Sequence, residues 1–368
     1  MVRPVHVVGL LLAAIPLCRY GQVELELRRA KAADTPEAWT ARHELIARSQ
    51  IFVADGSGIG SLDLSKSPWD PQPIDPDTPL TCQYLPKLIT GTTTKFDCRL
   101  ADGSVVKVKY GSLPEPKAEV AATRLLAALG FAADHVSFVR RLTCDGCNIS
   151  PFRLRRLAEF YFVAPLLDRM SASLSHTFEW VSVERKFEAR SINLVSTEGW
   201  GFADLEKVDA TKGGATRAEV DAFRLIAVLL ADWDNKPANQ RLTCLDSPAR
   251  ESGRAQCAKP MIMLQDVGAT FGPTKVDLKE WKAAPIWTDA ATCRIDFSSM
   301  PYHGAGFPAL SISEGGRALL ASRLRQLSER QITDLFVGAR FPDPAAWVQA
   351  FFAKVAVIAD RPACPSLP

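Results

Sequence analysis

The stretch that decides the fold is Ala231-Asp-Trp-Asp-Asn-Lys-Pro-Ala-Asn-Gln-Arg-Leu242, which leaves an apolar helix and turns polar at once. Upstream, from Arg217, Val220, Phe223, Ile226, Ala227 and Leu230 recur at helical spacing, so the loop starts where a buried helix stops. Inside it Asp234, Lys236 and Asn239 stand at offsets zero, two and five. Asp, Asn and Pro are ordinary turn residues, and alone the loop reads equally well as a polar bend. Downstream, the apolar strand Met261-Ile-Met-Leu264 runs into Gln265-Asp266-Val267-Gly268, a second carboxylate at a tight turn.

Together these two segments resemble the catalytic loop and the metal-binding turn of protein kinases. The resemblance implies that Asp234 accepts the proton of an attacking hydroxyl, that Lys236 contacts the transferring phosphate, and that Asn239 and Asp266 hold magnesium. A short extended loop suits this chemistry because it projects a base, a cation and a metal ligand toward one point where spread negative charge forms. Magnesium takes hard oxygen ligands and keeps substrate phosphates and water among them, so Asn239 and Asp266 are a sufficient protein share.

Further upstream the order continues in the same sense. The alternating Val106-Lys107-Val108-Lys109 reads as a strand, with both lysines on one face. A helix follows from about Pro116 to Leu129, ending at Gly130, and Glu119 on it is placed to pair with Lys109; Glu115 is the alternative partner. Either Lys107 or Lys109 could hold nucleotide phosphates, with Lys109 preferred. Thr90-Gly91-Thr92-Thr93-Thr94-Lys95-Phe96 stands where a nucleotide-covering loop is expected, and Gly91, Thr92 and Thr93 are its candidate phosphate contacts.

The sequence departs from ordinary protein kinases in several places. Asp232-Trp233 replaces the usual His-Arg, Val267 replaces Phe in the metal turn, and Asp234 and Asp266 lie 32 residues apart, the excess coinciding with Cys244 to Cys257. No Ala-Pro-Glu follows the metal turn, so the resemblance is to divergent members such as HipA-like, lipid-kinase-like and secretory-pathway kinases. It covers roughly Leu88 to Trp281. It implies an α+β, two-lobed, disulfide-stapled fold with a small mixed β-sheet N-lobe and a mainly helical C-lobe, using ATP and Mg2+ on an unidentified acceptor. An inactive pseudokinase serving as a scaffold, or a kinase-like nucleotidyl transferase, would carry the same residues.

Around this centre the chain divides into 1–21, a signal peptide; 22–87, an extension with a helix near Lys31 to Gln50 and Pro-rich loops; 88–190 and 191–360, the two lobes; and 361–368, a tail. Further strands are expected at Val136 to Leu142, Glu159 to Ala164 and Phe178 to Phe187, and helices at Gly315 to Leu327, Gln331 to Gly338 and Pro344 to Val357. Met1-Val2-Arg3 before the apolar Val5 to Leu17 has the form of a secretory signal and is too short to span a bilayer. Leu17 is larger than lipid-processing sites accept, which argues against a lipid anchor on Cys18.

Nine cysteines fit export, since losing Cys18 leaves an even eight. Cys82 to Cys98 and Cys244 to Cys257 suggest local bridges, while Cys144-Asp-Gly-Cys147 lacks the second ligand pair that zinc requires. Lys plus Arg at 44 against Asp plus Glu at 41 leaves +3, which gives no ground for a nucleic-acid partner.

Overall fold

A computed structural model describes residues 35–194, 197–246 and 257–366. The expected signal segment, 1–21, and Cys18 lie outside the described residues. Helix α1 (Pro36–Ala47) opens the described chain, capped by the Thr35 hydroxyl, which accepts the Ala38 N–H. Strands β1 (Leu80–Leu85), β2 (Lys95–Leu100) and β3 (Val105–Lys109) follow as an antiparallel run. The β2–β3 turn forms because Gly103 takes a left-handed φ of 84° and Asp102 accepts the Ser104 N–H. Then come α2 (Pro114–Ala128), ended by Gly130 at φ 85°, and β4 (His135–Asp145), α3 (Pro151–Phe160), α4 (Ala164–Ser171) and β5 (Ser175–Arg185).

The expected small mixed sheet is a closed barrel, in the order β1-β2-β3-β5-β4. It closes because β1 pairs in parallel with β4, Leu80 opposite Leu142 and Cys82 opposite Cys144. That closing strand lies before Leu88, in the stretch read as an extension. Phe96, Val106, Val108, Val139, Leu142, Val181 and Val183 fill the interior together with the Cys82–Cys98 and Cys144–Cys147 disulfides. The strand expected at Glu159 to Ala164 is instead the end of α3, a turn with Phe162 at φ 59°, and the start of α4. Its β-type composition is overruled by helical neighbours, among them the Arg155–Glu159 pair at i,i+4.

Beyond β6 (Arg190–Ser191) lies α5 (Arg217–Leu230), whose Thr216 and Glu219 form a capping box and whose residues from Val220 to Leu230 are all buried. The strands β7 (Gln240–Cys244) and β8 (Pro260–Leu264) form an antiparallel ladder with β6. Helices α6 (Leu278–Ala283), α7 (Glu314–Leu324), α8 (Glu329–Gly338) and α9 (Pro344–Ala359) complete the chain. Gly316 lets α7 approach α5, since a Cβ there would lie 2.4 Å from that of Asp221. The larger core joins α2 to α5 and α7 through α9, with Trp200 and Trp281 buried inside it. Disulfides Cys244–Cys257 and Cys293–Cys364 staple this part. Four disulfides are compatible with an exported protein, and no helix among the described residues is long and apolar enough to cross a membrane.

Candidate functional site

Helix α5 ends at Ala231, which turns left-handed at φ 55°, and Asp232 then donates its N–H back to Ala227. The chain leaves extended. Trp233 donates its N–H to the Ala269 carbonyl, and Asp234 opens toward solvent with its carboxylate 3.0 Å from the Lys236 ammonium. A single 3-10 turn, Pro237–Asn239, brings Asn239 back so that its side-chain Nδ2 donates to the Asp234 carbonyl at 2.6 Å. That bond fixes the amide and leaves Oδ1 as its remaining acceptor.

The long gap between Asp234 and Asp266 is explained by the β7–β8 hairpin. Gln240 pairs with Leu264, and Gln265 donates its N–H to the Asn239 carbonyl, so Asn239 and Asp266 emerge from the same end of the ladder. The Cys244–Cys257 disulfide closes the opposite end, beside the Cys244–Pro260 register pair. Asp266 itself adopts φ 52°, a left-handed position that costs a non-glycine residue on the order of 1 kcal/mol.

From the barrel, Lys109 arrives at the end of β3, 1% exposed, with Nζ 2.8 Å from Glu119, 3.3 Å from Glu115 and 3.5 Å from Asp266 Oδ1. Glu115 and Glu119 both meet it because they stand at i,i+4 on α2, which begins only a few residues after the strand. Burial opposes the ammonium charge, but Glu119, Asp266, Glu184 and Glu115 outweigh it and hold the lysine protonated well above the usual range. Burial lifts the Glu119 carboxyl to about 7. Against its own burial, Glu115 is drawn down to about 2 by Lys109, Lys275 and Thr93. Lys107 is engaged elsewhere, 3.1 Å from Glu184.

These elements enclose a cleft of about 800 Å³ whose lining includes Gly91, Thr92, Thr93, Asp234, Lys236, Asn239 and Asp266. Gly91 takes φ 92°, and Thr93 is buried. Lys107, Lys109 and Glu119 lie outside the lining; Lys109 sits behind the cleft wall and meets it through Glu115 and Asp266. Sequence reasoning missed Lys95, Lys275 and Tyr302, which also line the cleft. Lys95 pairs in register with Lys109 across β2–β3, and both burial and that neighbouring charge push its pKa down. Lys275, nine residues past Asp266 in a stretch assigned no element from the sequence, bonds Glu115 through its ammonium. A cavity of about 740 Å³ beside α1 offers no comparable chemistry, since its Arg42 is committed to Gly199 O and Asp204.

Asp232 lies behind the loop, 2% exposed, with Oδ2 lacking a hydrogen-bond partner among the described residues. Burial, then the charges of Asp234 and Asp266, raise its pKa to about 8. A carboxyl raised in the folded state from 3.8 stabilises fully below about pH 4, and that contribution is lost as pH rises through 8. The full span corresponds to on the order of 5 kcal/mol. Asp232→Asn is therefore expected to melt above wild type at pH 8.5, the gap shrinking toward pH 4. A gap constant across that range in thermal melts would contradict the assignment.

No protein-family model matches this chain, and no curated protein does. Among solved structures, a Helicobacter pylori proinflammatory kinase, CtkA, aligns with a TM-score of 0.45 and 12% sequence identity over 77% of this chain and 98% of that one. The likeness is one of fold, and coarse.

Proposed function

We propose that this chain is an ATP- and magnesium-dependent phosphotransferase, acting outside the cytoplasm on a hydroxyl of a protein, lipid or small molecule. One observation carries the reading: a buried Lys109–Glu119 pair reaches Asp266 in a cleft that also receives Asp234 and Asn239. In this reading the barrel with α2 is the small lobe and the helical remainder the large one. A lysine this deeply buried is costly unless its charge is used or paired; here Glu119 and Glu115 pair it, and its Nζ stands 3.5 Å from Asp266, which lines the cleft where nucleotide phosphates would lie.

The donors suit magnesium. The Asp266 carboxylate and the Asn239 Oδ1 are hard oxygens, and the Asn239 amide is oriented by its bond to Asp234 O. Those two residues would hold the ion, which when bound supplies charge neutralisation on the phosphates. Lys109 orients the phosphates, and the backbone of the Gly91 loop covers them. Asp234 accepts the acceptor hydroxyl's proton, while Lys236, with Nζ 3.0 Å from that carboxylate, stands ready for developing negative charge. Lys95 and Lys275 add further positive charge to the same wall.

With water as default acceptor, the oxidised protein is expected to release ADP slowly from ATP in magnesium and to stop when the metal is chelated. ATP consumption equal to the buffer blank, or release of pyrophosphate in place of ADP, would refute phosphoryl transfer.

A further inference from the structure

The α3–α4 hairpin, inserted between β4 and β5, carries an apolar face that nothing among the described residues covers. Phe152, Ala158 and Ala164 are buried toward the body, while Leu157, Phe160, Tyr161, Leu166 and Met170 are each more than half exposed. An apolar groove of about 230 Å³ runs between the two helices. A contiguous patch of this kind marks a binding surface.

Charge selects the occupant. The hairpin holds Arg153, Arg155, Arg156 and Arg169 against two carboxylates, Glu159 and Asp168, and Arg155 binds both of these at 2.7 and 2.6 Å. Arg153 and Arg169 are exposed beside the apolar face. Short helices with aromatic and aliphatic residues on one face and arginines flanking it lie in the plane of an anionic bilayer surface, with the rings at headgroup depth. We infer that the α3–α4 hairpin docks this protein on an anionic phospholipid membrane.

The hairpin is also tied to the cleft. Arg156 donates to the Gly91 carbonyl at 3.2 Å, and the Phe152 N–H donates to the Tyr110 hydroxyl, next to Lys109. A docked hairpin therefore holds the loop over the cleft at the membrane surface. The docking itself does not depend on the phosphotransferase reading.

The test is co-sedimentation of the full chain with vesicles of phosphatidylglycerol and phosphatidylcholine in equal parts, against phosphatidylcholine alone. Binding is expected to favour the anionic vesicles and to weaken as salt is raised. Phe160→Ser/Met170→Ser should lower partitioning at least about tenfold without changing the melting temperature. Arg153→Glu/Arg169→Glu reads the same face through charge alone and should erase the preference for phosphatidylglycerol. Absence of vesicle binding overturns the inference, as does binding unchanged in the apolar variant, which would place the anchor in Val5 to Leu17. A dimer in light scattering that the apolar variant dissolves would give the face to a second copy and equally overturn it.

Discussion

Lys109→Met is expected to lower the melting temperature by roughly 8 °C at pH 8. Methionine keeps much of the buried stem but removes the ammonium, and leaves Glu119, 3% exposed, without its partner at 2.8 Å. Breaking a buried ion pair from one side costs about 3–5 kcal/mol, and about 1 kcal/mol moves the melting temperature by about 2–4 °C in a large domain. The loss should be smaller at pH 5, because Glu119, already lifted to about 7 by burial, then takes up a proton. Lys109→Met/Glu119→Met should recover most of it, since apolar side chains of similar volume replace a buried pair at little net cost. A single variant as stable as wild type would show that the pair is solvated in solution.

Asp234→Asn is expected to cut ADP release by about 10²–10⁴-fold, the range for loss of a general base. Nucleotide affinity should stay within about twofold, because the amide keeps the shape of the carboxylate and the backbone carbonyl that holds Asn239 is untouched. Turnover and binding measured on the same preparation separate these effects. Unchanged turnover would remove Asp234 from the chemistry.

The convergence of Asp234, Lys236, Asn239 and Asp266 was legible because the residues lie close to two turns whose types can be read locally. The gap between them was legible as an excess, and the Cys244–Cys257 disulfide joins the two ends of that excess at the far end of the β7–β8 ladder. Lys109 and Glu119 followed from strand alternation and a helix with a clear stop at Gly130. Lys95 was not legible, because its place opposite Lys109 depends on the β2–β3 register, which a loop composition does not fix. Lys275 reaches Glu115 from a segment whose left-handed turn, φ 63° at a lysine, has no local signature. Barrel closure escaped for a similar reason: β1 meets β4 in parallel across a long stretch of chain, and no short motif announces such a contact. Cys82–Cys98 and Cys244–Cys257 close short loops and could be read, whereas Cys293–Cys364, with a sequence separation of 71, needs the packed helices.

If the cleft binds magnesium and nucleotide together, thermal unfolding of the oxidised protein registers both ligands. At a hundredfold excess over Kd a ligand adds about 2.7 kcal/mol of stability, a rise of about 5 °C in a domain of this size. Wild type and Asp234→Asn should both show that rise with ATP plus magnesium, and neither with magnesium alone. Asp266→Ala, which removes a carboxylate 39% exposed on the cleft, should show none while remaining folded. An equal rise in Asp266→Ala, or no rise in any folded form, would contradict the account.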